Sequence, residues 1–536
     1  MCAWLVRRYP LEDVRAGARL LWTLPGFLRH PVSLEEARAT LCRRLQRREA
    51  DFLNLARGAI YGNLASPYRQ LLVLAGCEAG DLERLVSRDG VEGALTALCR
   101  HGVYLTVEEF KGRRPVVRGS TTLEVHPSQL LNPLANAHLP AQTGGTRGAS
   151  TVVPIDLASL RDRCVDRRLQ VDARGASGWV HAVWGVPGGQ AMGNILEFAG
   201  IGAPPARWFT SVDPATPDLH ARYRWSARGL RWASLLAGVP LPAPEYVPAH
   251  DLLRIARWIA GVLSTGGTPC VSLYVSAGVR LCQAAGEAGL DLRGAQFTAG
   301  GEPLTEARLA VFREAGVEAV PAYSTIEAGR IGYGCVAPAM PDDYHLLHDL
   351  VALVQPGTDG EQRGLPSRAL LVSSLRRTAP VVLLNVSLGD QAVLVERACG
   401  CPLETVGWTT HLHTVRSFEK LTLGGMMFLD RDVIRVLEEV LPARFGGGRT
   451  DYQLVEEEAA RGRSALRLLV HPEVGPLDPQ VVADAFLRAI GGGSGAERVM
   501  ELEWRQAGLL CVERRPPLAT PAGKILHVYQ VQRQIS

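Results

Sequence analysis

Lysine is nearly missing from this chain. Of 58 basic residues only Lys111, Lys420 and Lys524 are lysines, and a bias that broad belongs to the composition of the gene. Each surviving lysine is therefore a candidate for a task that needs a compact amine rather than a planar guanidinium. The scarcity also excludes motifs: no lysine is followed by Ser or Thr, so a Walker-type phosphate loop is absent, and neither GxGxxG nor HExxH occurs. An excess of one charge is lacking too. The 58 basic and 54 acidic residues leave a net charge of +4 without long same-sign blocks, which gives no electrostatic footprint for DNA or RNA. Apolar runs such as Leu20 to Leu28 and Ile255 to Leu263 fall short of the roughly 20 residues needed to cross a bilayer. Charges within the first seven residues leave no adequate apolar stretch for a secretory signal. The eleven cysteines, an odd number, read as reduced cytosolic thiols. The expectation is a soluble cytoplasmic protein with neither nucleic acid nor membrane as a partner.

What is present is ample apolar material: 47% hydrophobic residues in 536 support cores in more than one domain. Residues 1–120 read as mostly helical, with amphipathic stretches around 34–60 and 66–86, closing in the turn-rich KGRRPVVRG. From there to about 415, short apolar, largely β-branched runs (Val180 to Val183, Val271 to Val275, Ala369 to Val372, Val381 to Val386) alternate with helical stretches such as Asp251 to Leu263 and Thr305 to Ala315. That alternation predicts an α/β fold with helix-flanked sheets. Residues 416–536 read as a smaller α+β domain. Its expected elements are a helix placing Val433, Ile434, Leu437, Val440 and Leu441 on one face, a strand pair (Tyr452 to Glu457, Ala465 to Val470), a helix from Pro479 to Ile490, and a last strand near Met500 to Trp504.

Four segments carry chemistry. TGGTRGAS, Thr143 to Ser150, has glycines that let backbone N–H groups surround phosphate oxygens, with the Thr143 and Thr146 hydroxyls as further donors. Taken alone it also reads as a surface turn. In AGGEPLTEARLAVFREAGVEAVPAYSTIEAG, 299–329, a turn with Glu302 and Pro303 leads to a helix, a strand ending at Tyr323, and then Glu327. An ordinary αβ unit with a core tyrosine fits this segment as well. PVVLLNVSLGDQAVLV reads as a buried strand ending in Leu388-Gly389-Asp390, with Asp390 either a turn residue or an acceptor for ribose hydroxyls. In TPAGKILHV, Lys524 follows a turn near the C-terminus.

In this order and spacing the four segments resemble the adenylate-forming ligases over about residues 120–530, specifically the phenylacetate-CoA ligase branch and related acyl-protein synthetases. The family's SSGTTGKP-like phosphate loop matches Thr143, Gly144, Gly145, Thr146 and Gly148. Its GAEPLT element matches Gly300 to Thr305, including Gly301, Glu302 and Pro303. The YGxTE element matches Tyr323, Ser324, Thr325, Ile326 and Glu327, which implies that Tyr323 stacks on adenine and Glu327 binds Mg²⁺. The ribose-binding Asp falls on Asp390, the hinge on Arg416 to Gly425, and the catalytic lysine on Lys524. Departures are Ala149 for the loop lysine, Ile326 for the family's Thr, Asn385 and Ser387 for the Arg residues before the TGD element, and Phe418 at the hinge. A second match concerns zinc. Cys335, then DDYHLLHD with His345, then Cys399-Gly400-Cys401 follow the branch's order of ligands to a structural Zn²⁺, with His348 a rival to His345.

The resemblance implies a large nucleotide- and acyl-binding domain, 1–415, and a mobile C-terminal lid, 416–536, carrying Lys524. It implies ATP-dependent activation of a carboxylic acid as acyl-AMP, with pyrophosphate released and the acyl group passed to CoA or another thiol. Transfer to a carrier protein or an amine, and a degenerate member that binds nucleotide without turnover, are the alternatives. Family position places the acyl pocket at HAVWGVPGGQ, with His181, Trp184 and Gly185. A Trp wall suits an aromatic or flat acid, and core packing accounts for a Trp equally.

Overall fold

The computed structural model describes residues 11–135, 139–142, 152–186, 189–213, 221–248, 251–358, 360, 364–418, 420–423, 426–429, 433, 435–448, 451–458, 464–492, 496–518 and 528–530. The phosphate-loop residues Thr143, Gly144, Gly145, Thr146 and Gly148, the hinge pair Gly424 and Gly425, and Lys524 lie outside them.

The N-terminal part is helical: α1 (Leu11–Arg29), α2 (Leu34–Gln46), α3 (Arg48–Leu55), α4 (Pro67–Leu74), α5 (Ala79–Arg100) and α6 (Val107–Phe110). Ser33 caps α2 by accepting from Glu36 N at 3.1 Å. Each amphipathic stretch is divided where periodicity shows no seam. The first breaks at Arg47 and runs into a π-turn at Ala56–Tyr61, and the second breaks between α4 and α5, where Gly76 has φ +65°.

Twelve strands form one mixed sheet: β1 (Val180–Trp184), β2 (Arg207–Thr210), β3 (Pro244–Tyr246), β4 (Pro269–Tyr274), β5 (Gln296–Gly300), β6 (Glu318–Thr325), β7 (Gly329–Gly334), β8 (Tyr344–Leu346), β9 (Val351–Val354), β10 (Ala369–Ser374), β11 (Val386–Glu396) and β12 (Thr410–Ser417). Their spatial order is 9-10-11-12-8-7-6-5-4-1-2-3. Strands 3-2-1-4-5-6 are mutually parallel, and every pairing from β6 to β9 is antiparallel.

A parallel half must be covered on both faces, and side-chain alternation shows how. Val183 and Trp208 pack on one face with α1, α2, α7 (Leu157–Ala173), α8 (Gly189–Ala199) and α9 (Ala221–Leu236). Ala182, Trp184 and Phe209 pack on the other with α10 (Leu253–Ser264), α11 (Val275–Glu287) and α12 (Glu306–Glu314). The antiparallel half shares its core with α3 to α5.

The C-terminal residues build a second sheet, β13 (Tyr452–Glu458), β14 (Ser464–Val470), β15 (Leu510–Arg514) and β16 (Val528–Gln530), in order 15-14-13-16. It has its own core of Val436, Tyr452, Leu468, Phe486 and Trp504, covered by α13 (Pro479–Ile490) and α14 (Ala496–Ala507). Two sequence expectations are corrected. The segment read as a last strand near Met500 to Trp504 is helix α14: Glu501, Glu503 and Trp504 face inward while Leu502 does not, and Arg505 Nη2 returns one turn to Glu501 at 3.0 Å. The strand follows at β15. The run Val381 to Asn385 is a lead-in rather than strand, and Asp390 sits inside β11, not at its end. Asn385 (φ +52°) breaks the extended backbone, held there by its Nδ2 donating to Leu95 O at 2.8 Å and Val103 O at 3.0 Å.

Among the described residues no helix is long and apolar enough to cross a membrane.

Candidate functional site

In a parallel order of 3-2-1-4-5-6, the chain turns back between β1 and β4, and ligands bind outside the carboxyl ends of the strands at that switch point. Trp184 and Gly185 end β1, and Tyr274 ends β4. Gly185 is pinned by its N donating to Phe209 O at 3.0 Å and by Trp208 Nε1 donating to its carbonyl at 3.1 Å. Beyond them, at the ends of β5 and β6, lie Gly301, Glu302, Pro303, Tyr323, Ser324, Thr325 and Glu327. The 323–327 element thus enters the site at the seam where parallel pairing gives way to antiparallel.

Local geometry explains the residue types. A Cβ at Gly300 would meet Ala322 O at 2.9 Å, so glycine permits β5 and β6 to close there. Gly301 has φ +76°. The Glu302 carboxylate accepts from Ser276 N at 2.9 Å and Ser276 Oγ at 2.8 Å, in the first turn of α11, and faces Arg308 at 3.4 Å. Its charge steadies the N-terminus of α11 and locks the turn that carries it. Arg308 also donates to Pro303 O at 2.8 Å. A bulge between Tyr323 and Ser324 re-aims the strand end, and Thr325 Oγ1 accepts from Ala328 N at 3.0 Å, shaping the turn that presents Glu327.

Tyr323 Oη donates to Asp390 Oδ2 at 3.0 Å. Burial, with Asp390 and Glu327 adding negative charge, pushes the Tyr323 phenol well up, so it stays a hydrogen-bond donor. Glu327 is buried and ion-paired with Lys111 Nζ at 2.5 Å. Lys111 was visible in the sequence only as one of three lysines, with no role attached. Arg416 pairs across the sheet with Gln391, and its Nη1 donates to Asp342 Oδ2 at 2.8 Å.

The proposed acyl-pocket residues separate. Trp184 lies on the α10–α11 face, whereas His181 lies on the opposite face, stacked on Phe198 at 4.3 Å. Burial, with Arg167 and Arg174 nearby, drives the His181 pKa down to about 3, so it is a neutral imidazole. Sequence reasoning also missed what the C-terminal unit brings. From α14, Glu503 accepts from Ser211 Oγ just past β2, and Gln506 Nε2 donates to Tyr246 Oη at 3.0 Å. This helix covers the ends of β2 and β3 beside the switch point. Reading 500–504 as strand left no signal for it.

Cys335, His345, Cys399 and Cys401 converge, their ligand atoms all within 4.8 Å of one another. His345 Nε2 lies 3.1 Å from Cys401 Sγ and 3.6 Å from Cys399 Sγ. Its Nδ1 donates to Trp408 O at 2.6 Å, leaving Nε2 as the ligand atom. Gly400 turns the Cys399–Cys401 knuckle at φ +71°. His348 is not in the cluster. These separations suit four ligands around one tetrahedral ion with bonds of about 2.0–2.3 Å. A second grouping, Cys335, Asp343 and His411, is a supporting layer: His411 Nδ1 donates to Asp343 Oδ1 at 2.7 Å, and Arg397 reaches both Asp343 and Cys335.

No protein-family model matches the chain, and no curated protein matches it. Solved structures do. A 2-hydroxyisobutyryl-CoA ligase, determined with 2-HIB-AMP and CoA in its thioesterification state, superimposes with TM-score 0.56 at 14% identity, over 91% of this chain and 90% of that one. An amide bond synthetase variant from Marinactinospora thermotolerans covers 89% of this chain and 92% of its own at 15% identity, with TM-score 0.40. The assignment rests on the first: the chain has the adenylate-forming ligase fold.

Proposed function

We propose that this protein uses ATP to activate a carboxylic acid as an acyl-AMP and then passes the acyl group to a thiol, with CoA the foremost acceptor. The observation that carries the reading is the meeting of Tyr323 with Asp390 at 3.0 Å, with Glu327 close enough to add charge at the same phenol, in the order the family resemblance requires. Asp390 accepts from the ribose hydroxyls, Tyr323 flanks the base, and Ser324 and Thr325 line the turn beside the phosphates. A substrate carboxylate oxygen attacks the α-phosphorus as the bond to pyrophosphate breaks. A thiol then attacks the acyl carbonyl, losing its proton, and AMP departs. Two anions meet in the first step, so positive charge must gather there. The 143–148 loop amides and Lys524 are assigned to that task.

Glu327 suits Mg²⁺, since it is a buried carboxylate that already faces a cation in this structure. Mg²⁺ bound there would supply charge neutralisation for the phosphates. The cysteine and histidine cluster suits Zn²⁺, and four protein ligands leave no open position, so its role is structural. That ligand set is also what favours the phenylacetate-CoA ligase branch, and with it an aromatic acid lodged near Trp184. A boundary near residue 416 separates the large domain from the lid.

The test is an unbiased screen of carboxylic acids for acid-dependent pyrophosphate exchange and AMP release, with CoA, a carrier protein and an amine offered in parallel. Exchange with none of the acids would refute the ligase reading.

A further inference from the structure

Glu327 is not waiting for its cation. Lys111 Nζ lies 2.5 Å from Glu327 Oε1, with the lysine side chain 18% exposed and the glutamate 4%. The chain leading to Lys111 is held in place. Thr106 and Glu109 form a capping box at the start of α6. Just before it, Leu105 N donates to Asn385 O at 3.1 Å, and Ser387 N donates to Leu105 O at 2.9 Å. Those bonds tie the segment to the start of β11, the strand that carries Asp390. Lys111 and the ribose-binding candidate are thus mounted on one support.

A chain that uses arginine at 55 of its 58 basic positions keeps lysine here. The difference is physical: an ammonium is a point charge with three rotatable donors, able to leave one oxygen for another, whereas a guanidinium forks onto a carboxylate and stays. A buried carboxylate stripped of its ion partner is strongly destabilising, so when a cation leaves Glu327 either another must replace it or the carboxylate must take a proton.

We propose that Lys111 is the resident counter-ion of Glu327 and a phosphate-binding residue. The ammonium and a divalent cation are alternative partners of the same carboxylate. When a metal takes Glu327, the displaced ammonium faces a like charge, and the anion that relieves it is the phosphate chain arriving with the metal. The phosphate half rests on the nucleotide reading above, and the counter-ion half does not.

The test uses the full-length, zinc-replete protein. Mn²⁺ alone is titrated against nucleotide-free wild type, Lys111→Met, Lys111→Arg and the double variant Lys111→Met/Glu327→Gln, followed by the electron paramagnetic resonance of the free ion. ATP binding at saturating Mg²⁺ is measured in parallel by calorimetry. Lys111→Met should bind one Mn²⁺ at least about tenfold more tightly than wild type, roughly the effect of one such charge contact. The double variant should lose that gain, and Lys111→Arg should exclude Mn²⁺ at least as firmly as wild type does. With Glu327 held by the metal in both proteins, Lys111→Met should bind ATP about tenfold more weakly than wild type. Equal Mn²⁺ affinity in wild type and Lys111→Met, or Mn²⁺ binding by Lys111→Arg as tight as by Lys111→Met, would overturn the counter-ion role. Unchanged ATP affinity would overturn the phosphate role. A wild type that binds no ATP refutes the nucleotide reading, and the Mn²⁺ comparison still decides the counter-ion.

Discussion

Tyr323 and Asp390, 67 positions apart, are joined by a hydrogen bond of 3.0 Å from the phenol to the carboxylate. The bond links β6, the last strand of the parallel half, to β11 in the antiparallel half. Asp390→Ala should weaken ATP binding by roughly 1–3 kcal/mol, because the ribose hydroxyls and the tyrosine lose a charged acceptor together. Tyr323→Phe keeps the ring and removes only the phenol, so its loss should be smaller, about 1 kcal/mol. Calorimetric titration of both variants checks the order, and equal nucleotide affinity in Asp390→Ala and wild type would count against the site.

Elemental analysis of protein prepared without chelator should find about one zinc per chain. Cys401→Ser should lower both zinc content and thermal stability, since the ligand set ties the loop after β11 to β8. Protein without zinc would refute the metal assignment and leave the ligase reading untouched.

Lys524→Ala should still bind ATP yet lose acyl-AMP formation by a factor of about 10² or more, the scale of removing one preorganised charge contact from a transition state. Transfer from a supplied acyl-AMP should survive. Near-normal pyrophosphate exchange in this variant would show that the catalytic lysine has been misassigned.

Glu503 makes the seating of α14 pH-dependent. Burial raises its carboxyl above the ordinary 4.5, outweighing the Ser211 hydroxyl and Arg280, which pull it down. The docked state therefore holds a proton that the undocked, solvated glutamate releases. Docking should be strongest at and below the ordinary value and weaken as pH rises from there to the raised docked value. Glu503→Gln should remove this dependence and hold the C-terminal unit more firmly at neutral pH. Distances between fluorophores on the two domains, followed against pH, give the readout. A wild type and a Glu503→Gln protein with identical pH profiles would exclude Glu503 as the group responsible.

Much of the fold was legible locally. Short apolar runs marked β1, β4 and β10, and the helix predicted over Pro479 to Ile490 coincides with α13, because a buried strand or a one-faced helix writes its own period into the sequence. Period failed where two patterns overlap. Met500, Leu502 and Trp504 alternate like a strand, but Glu501 is buried against Arg498 and Arg505 of its own helix and Glu503 against the distant Ser211, and a buried glutamate reads as exposed until its partner is known.

The candidate site divides in the same way. The sequence by itself determined which residue types are available and in what order: a glycine turn with Glu302, an aromatic followed by Glu327, an Asp after Gly389, a Cys-Gly-Cys knuckle, and three lysines among many arginines. Only the tertiary structure decided which of them meet. Lys111 and Glu327 are 216 positions apart, His345 and Cys401 are 56 apart, and His181 and Trp184, three residues apart, end on opposite faces of one sheet. Local periodicity records whether a side chain is covered, but what covers it depends on strand order and on the bonds of Leu105 to Asn385 and Ser387. Those are set by the packing of the whole chain, and no single segment encodes them.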